Sequence, residues 1–544
     1  MDTFAAPVPR APGWSDESIL PLSRVRAHTR AIALTMAVIL AGSFRTMSLA
    51  TYGFSDDEIN KVNAIEAYRA GDFSANAEHP MLMKLAMWGS VTLVDAWNGA
   101  VGPAHRIPPE TALRLPNALA GSATTAAIFG VTDLLFGTGA AVLAAVFWAL
   151  DVNATATNRL GKEDTFLLLF FLLAVWCYER GKRRGAADPA AAQPWYATSG
   201  AMFGLMIASK YMAYYWALYG LFNVAADSSP GLNRPDKRRF YGSMALAFLA
   251  ANFAILIPST WRYLVGYVNG DTVTHHGYMF LHQLYVTDVP ISTIGVPVGF
   301  YLYYLATKIP LVLLVAAAAG LIEAAKRRRE RGFVFLRIMF VFLLLGYSLF
   351  AVKFVRYILP LLAVLDISAA VGMIAMFRWI RRLRLSPPAT LAACSTLAGI
   401  IIVVLLSAQM AATPFYSFAE NTVGAHVSAP GQSFPDDEFY DYGVREAVAA
   451  IAHAAGPGAT IVSDVPEIVT YYVRAAGRAD VRVRSLSQEG LPPRPAETWV
   501  IVQDGHVYFD NRDIVAQLRG SGPAWRQIHA REAVAVEIFR LPGT

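Results

Sequence analysis

The chain has 544 residues, of which 55% are hydrophobic and only 16% charged, with a mean hydropathy of +0.40. A soluble protein of this length would divide into about three or four domains, but apolar residues gathered in long blocks exclude that class and indicate a polytopic membrane protein. The net charge of +6 is unevenly spread: from Thr413 onward there are 11 Arg, no Lys and 16 acidic residues, so the basic excess lies in residues 1–412, where it speaks for topology and anionic lipid rather than nucleic acid.

Residues 1–30 are polar and mildly basic, without a cleavable-signal pattern, and are read as a cytoplasmic segment. Ala31–Ala50 is the first expected span, followed by a loop over 51–110. Further spans are expected at Leu113–Phe136, Thr138–Asn153, Thr165–Tyr178, Trp195–Ser209, Tyr211–Ala226, Phe240–Pro258, Pro297–Ala325, Phe333–Val352, Tyr357–Trp379 and Pro388–Ala412. Basic residues are retained inside. The N-terminus, Arg180–Arg184, Arg234–Arg239, Lys326–Arg331 and Arg378–Arg384 can all lie there if the chain crosses about eleven times, with two crossings around Lys210. That places the N-terminus in the cytoplasm and the C-terminus outside. The outer face then collects Asp57 to Lys84, Arg159 to Asp164, Lys210, Lys353 to Arg356 and the tail.

Residues 413–544 change character. ATIVSD, VRVRSL, TWVIVQD and AVAVEIFRL read as strands, and 441–455, 466–476 and 514–519 as helices, which predicts a small extracytoplasmic α/β domain. No Gly-rich phosphate loop follows its strands, so no nucleotide is assigned to it. Cys177 and Cys394 lie inside apolar runs and suggest neither a disulfide framework nor a metal site. His275, His276 and His282 resemble a metal cluster only superficially, because adjacent side chains do not share a face.

Several polar groups at span ends could carry chemistry. Asp57 and Glu58 suit a general base, which must reach a proton in a site shielded from bulk water. Ser55-Asp56-Asp57-Glu58 is equally a helix-capping sequence, and the two readings are compatible. Glu78-His79-Pro80 opens an amphipathic stretch in which His79 and Lys84 could hold a lipid phosphate, or Lys84 could snorkel from an interfacial helix. Arg159 and Asp164, in NRLGKEDTF, and Lys353 and Arg356, in VKFVRYILPLL, sit at other outer mouths, where a phosphate site and an interface anchor look alike. Asp366 lies deeper in a span and reads as a buried neutral or paired carboxyl.

Together these motifs resemble the GT-C superfamily of membrane glycosyltransferases, and are similar to its protein O-mannosyltransferase family (glycosyltransferase family 39) and to the lipid A aminoarabinose transferase. Asp57-Glu58 matches the Asp-Glu pair of the first external loop. His79-Pro80-Met81-Leu82-Met83-Lys84 resembles His-Pro-Pro-Leu-x-Lys, with Met81 replacing the second Pro. Arg159 and Asp164, GLMIASKY from Gly204, and Arg356-Tyr357-Ile358-Leu359-Pro360 follow in the family's order. FPDDEFYDYGVREA resembles a stretch after the last span of some bacterial members, without an evident mechanism.

The resemblance implies a polyprenyl-phosphate-linked sugar donor, inversion at the anomeric carbon, and an acceptor that is a glycan, lipid or protein. It makes Asp57, Glu58 and Asp164 the catalytic carboxylates, with Asp57 as base or acceptor-orienting group. His79, Lys84, Arg159, Lys353 and Arg356 become donor-phosphate candidates. No cofactor follows with certainty; a divalent cation at Asp164 is left open. The expected fold is thus a polytopic α-helical GT-C membrane domain over 31–412 with an α/β domain over 413–544, in a bacterial inner membrane. The competing expectation is a transporter or flippase of a lipid-linked or anionic solute, but internal repeats and interrupted midplane helices are not visible in the sequence.

Overall fold

The computed structural model describes residues 27–226, 232–269, 277–281, 283–286, 297–350, 352–492, 497–507 and 509–542. His275, His276, His282 and most of the N-terminal segment lie outside them. The chain is mostly helical. Among the described residues four helices are long and apolar enough to cross a bilayer, and a fifth crossing is formed if one bent pair counts as a single span.

The expected eleven spans correspond to helices that differ in length and continuity. Ala27–Thr46, Pro109–Phe136, Asp164–Gly185, Arg331–Leu349, Leu359–Arg382 and Pro387–Ala412 are continuous. The stretch expected as Thr138–Asn153 instead bends by 62° between Thr138–Leu150 and Val152–Asn158. The cause is Asp151, whose carboxylate accepts from the amides of Asn153 (2.8 Å) and Ala154 (3.1 Å) and so starts a new helix. Pro297–Ala325 likewise divides, into Phe300–Lys308 and Leu311–Lys326, because Pro310 has no amide hydrogen to continue the ladder. Tyr214–Ala225 has only 12 residues.

Small residues let the deepest helices touch. A Cβ on Gly320 would lie 2.0 Å from the carbonyl oxygen of Ser368, and one on Gly372 would lie 1.9 Å from that of Ala316. Leu311–Lys326 and Leu359–Arg382 therefore cross backbone to backbone, as membrane helices do where packing replaces the hydrophobic effect. Asp366 lies in this wall, fully buried, with neither carboxyl oxygen hydrogen-bonded.

The tail builds a five-stranded sheet in the order Arg482–Ser485, Thr460–Ser463, Thr498–Gln503, Ala533–Leu541, Arg526–Ala530. The first three strands are parallel and the last two antiparallel. Alternation along the strands serves both faces. Ile461, Trp499, Ile501 and Ile538 pack with Val448 of helix Val444–Ala454 and Val469 of helix Pro466–Ala475, while Val462, Val500, Val502 and Phe539 pack with Val515 and Leu518 of helix Phe509–Ser521. The strand Arg526–Ala530 was not expected: RQIHA has no apolar alternation, and its exposed edge position explains why.

Candidate active site

The first loop forms helix Asp56–Arg69, started by a capping box in which Ser55 Oγ accepts from the Glu58 amide and the Glu58 carboxylate accepts from the Ser55 amide. Successive residues turn by about 100° around a helix axis, so the three carboxylates of this first turn part company. Glu58 points inward and is fully buried, bound by Arg114 through two hydrogen bonds of 2.8 and 2.6 Å and by the Gly161 amide at 2.9 Å. Arg114 also donates to the carbonyls of Leu49, Tyr52 and Gly53. Glu58, expected as a catalytic carboxylate, is thus buried and bound on both oxygens.

Asp57 faces away from Arg114 and its side chain remains 33% exposed. Its Oδ1 pairs with Lys162 Nζ, and its Oδ2 meets Arg356 Nη1 at 3.5 Å and accepts from the Tyr440 hydroxyl at 3.2 Å. Burial alone would push this carboxyl up, but Lys162 and Arg356 outweigh it and hold Asp57 well below the usual carboxylate range. Asp57 is therefore a carboxylate at neutral pH, poised to accept rather than give a proton.

The cations come from two distant turns. Lys162 lies between helices Val152–Asn158 and Asp164–Gly185; burial and the neighbouring Arg356 push it down to about 8, against the pull of Asp57. Arg356 sits in the short turn before Leu359–Arg382, over the ring of Phe354 at 3.8 Å and that of Tyr357 at 5.6 Å. Across Tyr357, at 4.2 Å, stands Lys210 Nζ, which donates to Asp164 Oδ1 at 2.7 Å. Three cations and two carboxylates thus gather at one end of the helices.

Beside them, Glu163 binds Lys61 at 2.9 Å and approaches His79 Nδ1 at 3.7 Å. Burial holds His79 well below its ordinary value despite Glu163, so the imidazole is neutral, with its side chain 26% exposed.

The remaining expected phosphate ligands have other partners. Lys84 is fully buried and donates to the carbonyls of Asn76 (2.5 Å) and His79 (2.9 Å), closing the turn before helix Met81–Ala100. Burial pushes it down to about 7. Arg159 donates to the carbonyls of Phe44, Met47 and Ser48 and lies 4.9 Å from the Tyr416 ring centre, which ends the first helix. Lys353 donates to the carbonyls of Tyr347 and Ser348 at 3.1 and 2.6 Å. Arg159 and Lys353 thus satisfy carbonyls at helix ends, and Lys84 those of the turn between Asp56–Arg69 and Met81–Ala100.

Four groups escaped the sequence reading. Lys162 stands within the very NRLGKEDTF stretch that drew attention to Arg159 and Asp164. Lys210 was seen on the outer face and within GLMIASKY, without a role of its own. Asp437 accepts from the Val355 amide at 3.1 Å, and burial, tempered by Arg356, pushes it up to about 7. Tyr440 comes from the same tail segment. With Arg356, Lys308 and Tyr304 these two tail residues border a cavity of about 30 Å³ behind Asp57. A separate apolar groove of about 390 Å³, lined by Tyr214, Leu218, Leu221, Phe342, Gly346 and Phe350, runs up to Tyr347, whose ring lies 6.1 Å from that of Tyr357. Among the described residues no group of three or more His, Cys, Asp or Glu side chains is arranged to hold a metal ion.

Residues 105–259 match the family model for dolichyl-phosphate-mannose-protein mannosyltransferase. None of the curated proteins compared by sequence matches the chain. Among solved structures, ArnT from Cupriavidus metallidurans in the apo state is 13% identical, with 94% of this chain and 97% of that one covered and a TM-score of 0.51. The oligosaccharyltransferase of Archaeoglobus fulgidus in the apo form is 12% identical, with 88% and 70% covered and a TM-score of 0.51. At these identities the likeness is one of fold.

Proposed function

We propose that this chain, whose fold is that of the GT-C membrane glycosyltransferases, is an inverting glycosyltransferase that moves a sugar from a polyprenyl-phosphate donor to an acceptor at the extracytoplasmic face of an inner membrane. The observation that carries this reading is Asp57, a partly accessible carboxylate kept ionised between Lys162 and Arg356.

The acceptor's nucleophilic atom attacks the anomeric carbon, and its proton passes to Asp57. The carbon–oxygen bond to phosphate breaks, and its electron pair leaves on the polyprenyl phosphate. Positive charge develops at the sugar carbon and negative charge on the departing phosphate, so a carboxylate belongs on one side and fixed cations on the other. Arg356, held at 3.5 Å, is the cation that turns to the phosphate, while Lys162 stays on Asp57 Oδ1. A donor phosphate that draws Arg356 away from Asp57 also raises the carboxylate's affinity for a proton, so donor binding makes the base stronger. Asp164, steadied by Lys210, is the second carboxylate, suited to orienting the acceptor. The apolar groove ending at Tyr347 suits a prenyl tail. The basic loops at the far ends of the helices support a cytoplasmic N-terminus and an extracytoplasmic tail.

The test uses the purified protein in detergent, a polyprenyl-phosphate sugar and an envelope lipid and glycan fraction. The reading expects sugar transfer with stoichiometric release of polyprenyl phosphate and no need for a sealed compartment. Donor left intact in detergent, with movement of the lipid-linked sugar only in sealed vesicles, would make the protein a transporter.

A further inference from the structure

Residues Phe434–Tyr442 connect the last membrane helix to the sheet domain, and every charged side chain in this stretch is committed. Glu438 pairs with Lys308, and its carboxylate accepts from the Phe434 amide. Asp437 accepts from the Val355 amide, one residue before Arg356. Asp436 accepts from the Met279 amide at 3.3 Å. Asp441 accepts from the amide of Asp56 at 2.8 Å, from Gln503 Nε2 at 2.6 Å and from His506 Nε2 at 2.9 Å. Tyr440 reaches Asp57 itself.

The backbone is bent to make these contacts. Tyr440 (φ 46°) and Asp441 (φ 61°) are consecutive non-glycine residues in the left-handed region, a conformation that is strained for a residue with a Cβ and persists where the surroundings hold it in place. Two neighbouring residues carry this strain where one touches Asp57 and the other the start of its helix. A connector needs neither contact.

We propose that Tyr440 is a positioning residue for Asp57, and that the tail thereby completes the active site: Gln503 and His506 fix Asp441, Asp441 fixes the first turn of helix Asp56–Arg69, and the Tyr440 hydroxyl sets the direction of the Asp57 carboxylate. The inference rests on Asp57 being the base. With the hydroxyl donating to Oδ2 and Lys162 to Oδ1, the carboxylate plane is fixed from two sides while Arg356 remains at 3.5 Å, far enough to turn to a phosphate.

Tyr440→Phe removes only the hydroxyl. The expected result is a kcat lower by about ten- to a hundredfold, as for loss of a hydrogen bond to a charged group, with donor KM within about twofold. The groups facing Asp57 are Asp56 and Lys61 of its own helix, Lys162, Arg356 and Tyr440. Loss of the one neutral donor among them makes the ionised form less favoured, so the acid limb of kcat/KM moves upward by about half a unit. A merely structural role would lower thermal stability and leave that limb where it was. Tyr442→Phe, whose hydroxyl meets Ser417 at 3.2 Å, is the control and leaves all three readings unchanged. Should Tyr440→Phe not be recovered folded, Asp441→Asn tests the same path, with an expected kcat loss of about three- to tenfold at constant donor KM. An unaltered kcat and acid limb in Tyr440→Phe, with Asp57→Asn inactive, overturns this inference alone; full transfer by Asp57→Asn overturns the base on which it rests.

Discussion

Two buried ionic clusters lie at opposite ends of helix Asp164–Gly185, and they are built to different ends. Asp164 opens the helix and Glu179 lies 15 residues further on, about 22 Å along the axis. Glu179 is saturated: Arg331 grips both oxygens at 2.9 and 2.6 Å, and Lys182 (3.0 Å) and the Tyr219 hydroxyl (2.5 Å) add to Oε1. Its side chain is 7% exposed, and nothing is left for a ligand to engage. At the Asp57 end the carboxylate keeps a third of its surface, and Arg356 holds it only at 3.5 Å. Burial of charge is common to both; spare hydrogen-bonding capacity is found at one. The saturated cluster has no hydrogen-bonding capacity to spare, whereas the open one does.

That contrast can be broken at either end. The largest expected effect is at the saturated cluster: Glu179→Ala leaves Arg331 and Lys182 without their carboxylate, and should lower stability by about 3–5 kcal/mol. Thermal unfolding in detergent would show it, while the molecules that remain folded transfer sugar at a rate within about twofold of the original. At the open cluster the pattern reverses. Arg356→Ala should raise donor KM by about ten- to a hundredfold with little change in acceptor KM, read from initial rates with each substrate varied in turn. The smallest effect concerns the joint between tail and loop. Burial would push His506 down, but Asp441 outweighs it and holds the imidazole up at about 9, with Asp436 and Asp56 adding to the pull. A raised pKa means that this contribution to stability is fully present below about 6.5 and is lost as pH rises through about 9. The melting temperature should therefore fall between pH 8 and pH 10 by an amount equivalent to about 1 kcal/mol or less, and His506→Gln should flatten that part of the profile.

The helical membrane class and the GT-C resemblance were legible in the sequence, because long apolar blocks and motif order do not depend on three-dimensional detail. The site was legible only in part. Asp57, Asp164, His79 and Arg356 stand together at one end of the bundle, whereas Glu58, Lys84, Arg159 and Lys353 turn inward to an arginine or to backbone carbonyls. Position at the mouth of a span says that a charge is near the surface, but not its azimuth. Asp57 and Glu58 are adjacent in sequence, yet one meets Lys162 and Arg356 with a third of its side chain exposed and the other is buried on Arg114. A lysine binding three carbonyls and a lysine awaiting a phosphate also look alike in a sequence. Lys162 carried a usable signal, since it lies between Arg159 and Asp164 in a stretch already suspected. Tyr440 lies in FPDDEFYDYGVREA, a stretch that resembled the family but gave no role, because its partner is 383 residues away. The breaks at Asp151 and Pro310 were visible as residues, but apolar blocks that run through them concealed them.

The central claim is that Asp57 accepts the acceptor's proton while Arg356 receives the phosphate. It is tested most directly by the single-turnover rate of sugar transfer in Asp57→Asn, measured with saturating donor on protein shown to be folded by its unfolding temperature. The account predicts a loss of at least about a hundredfold with donor still bound. Transfer at the original rate by the folded variant would contradict it.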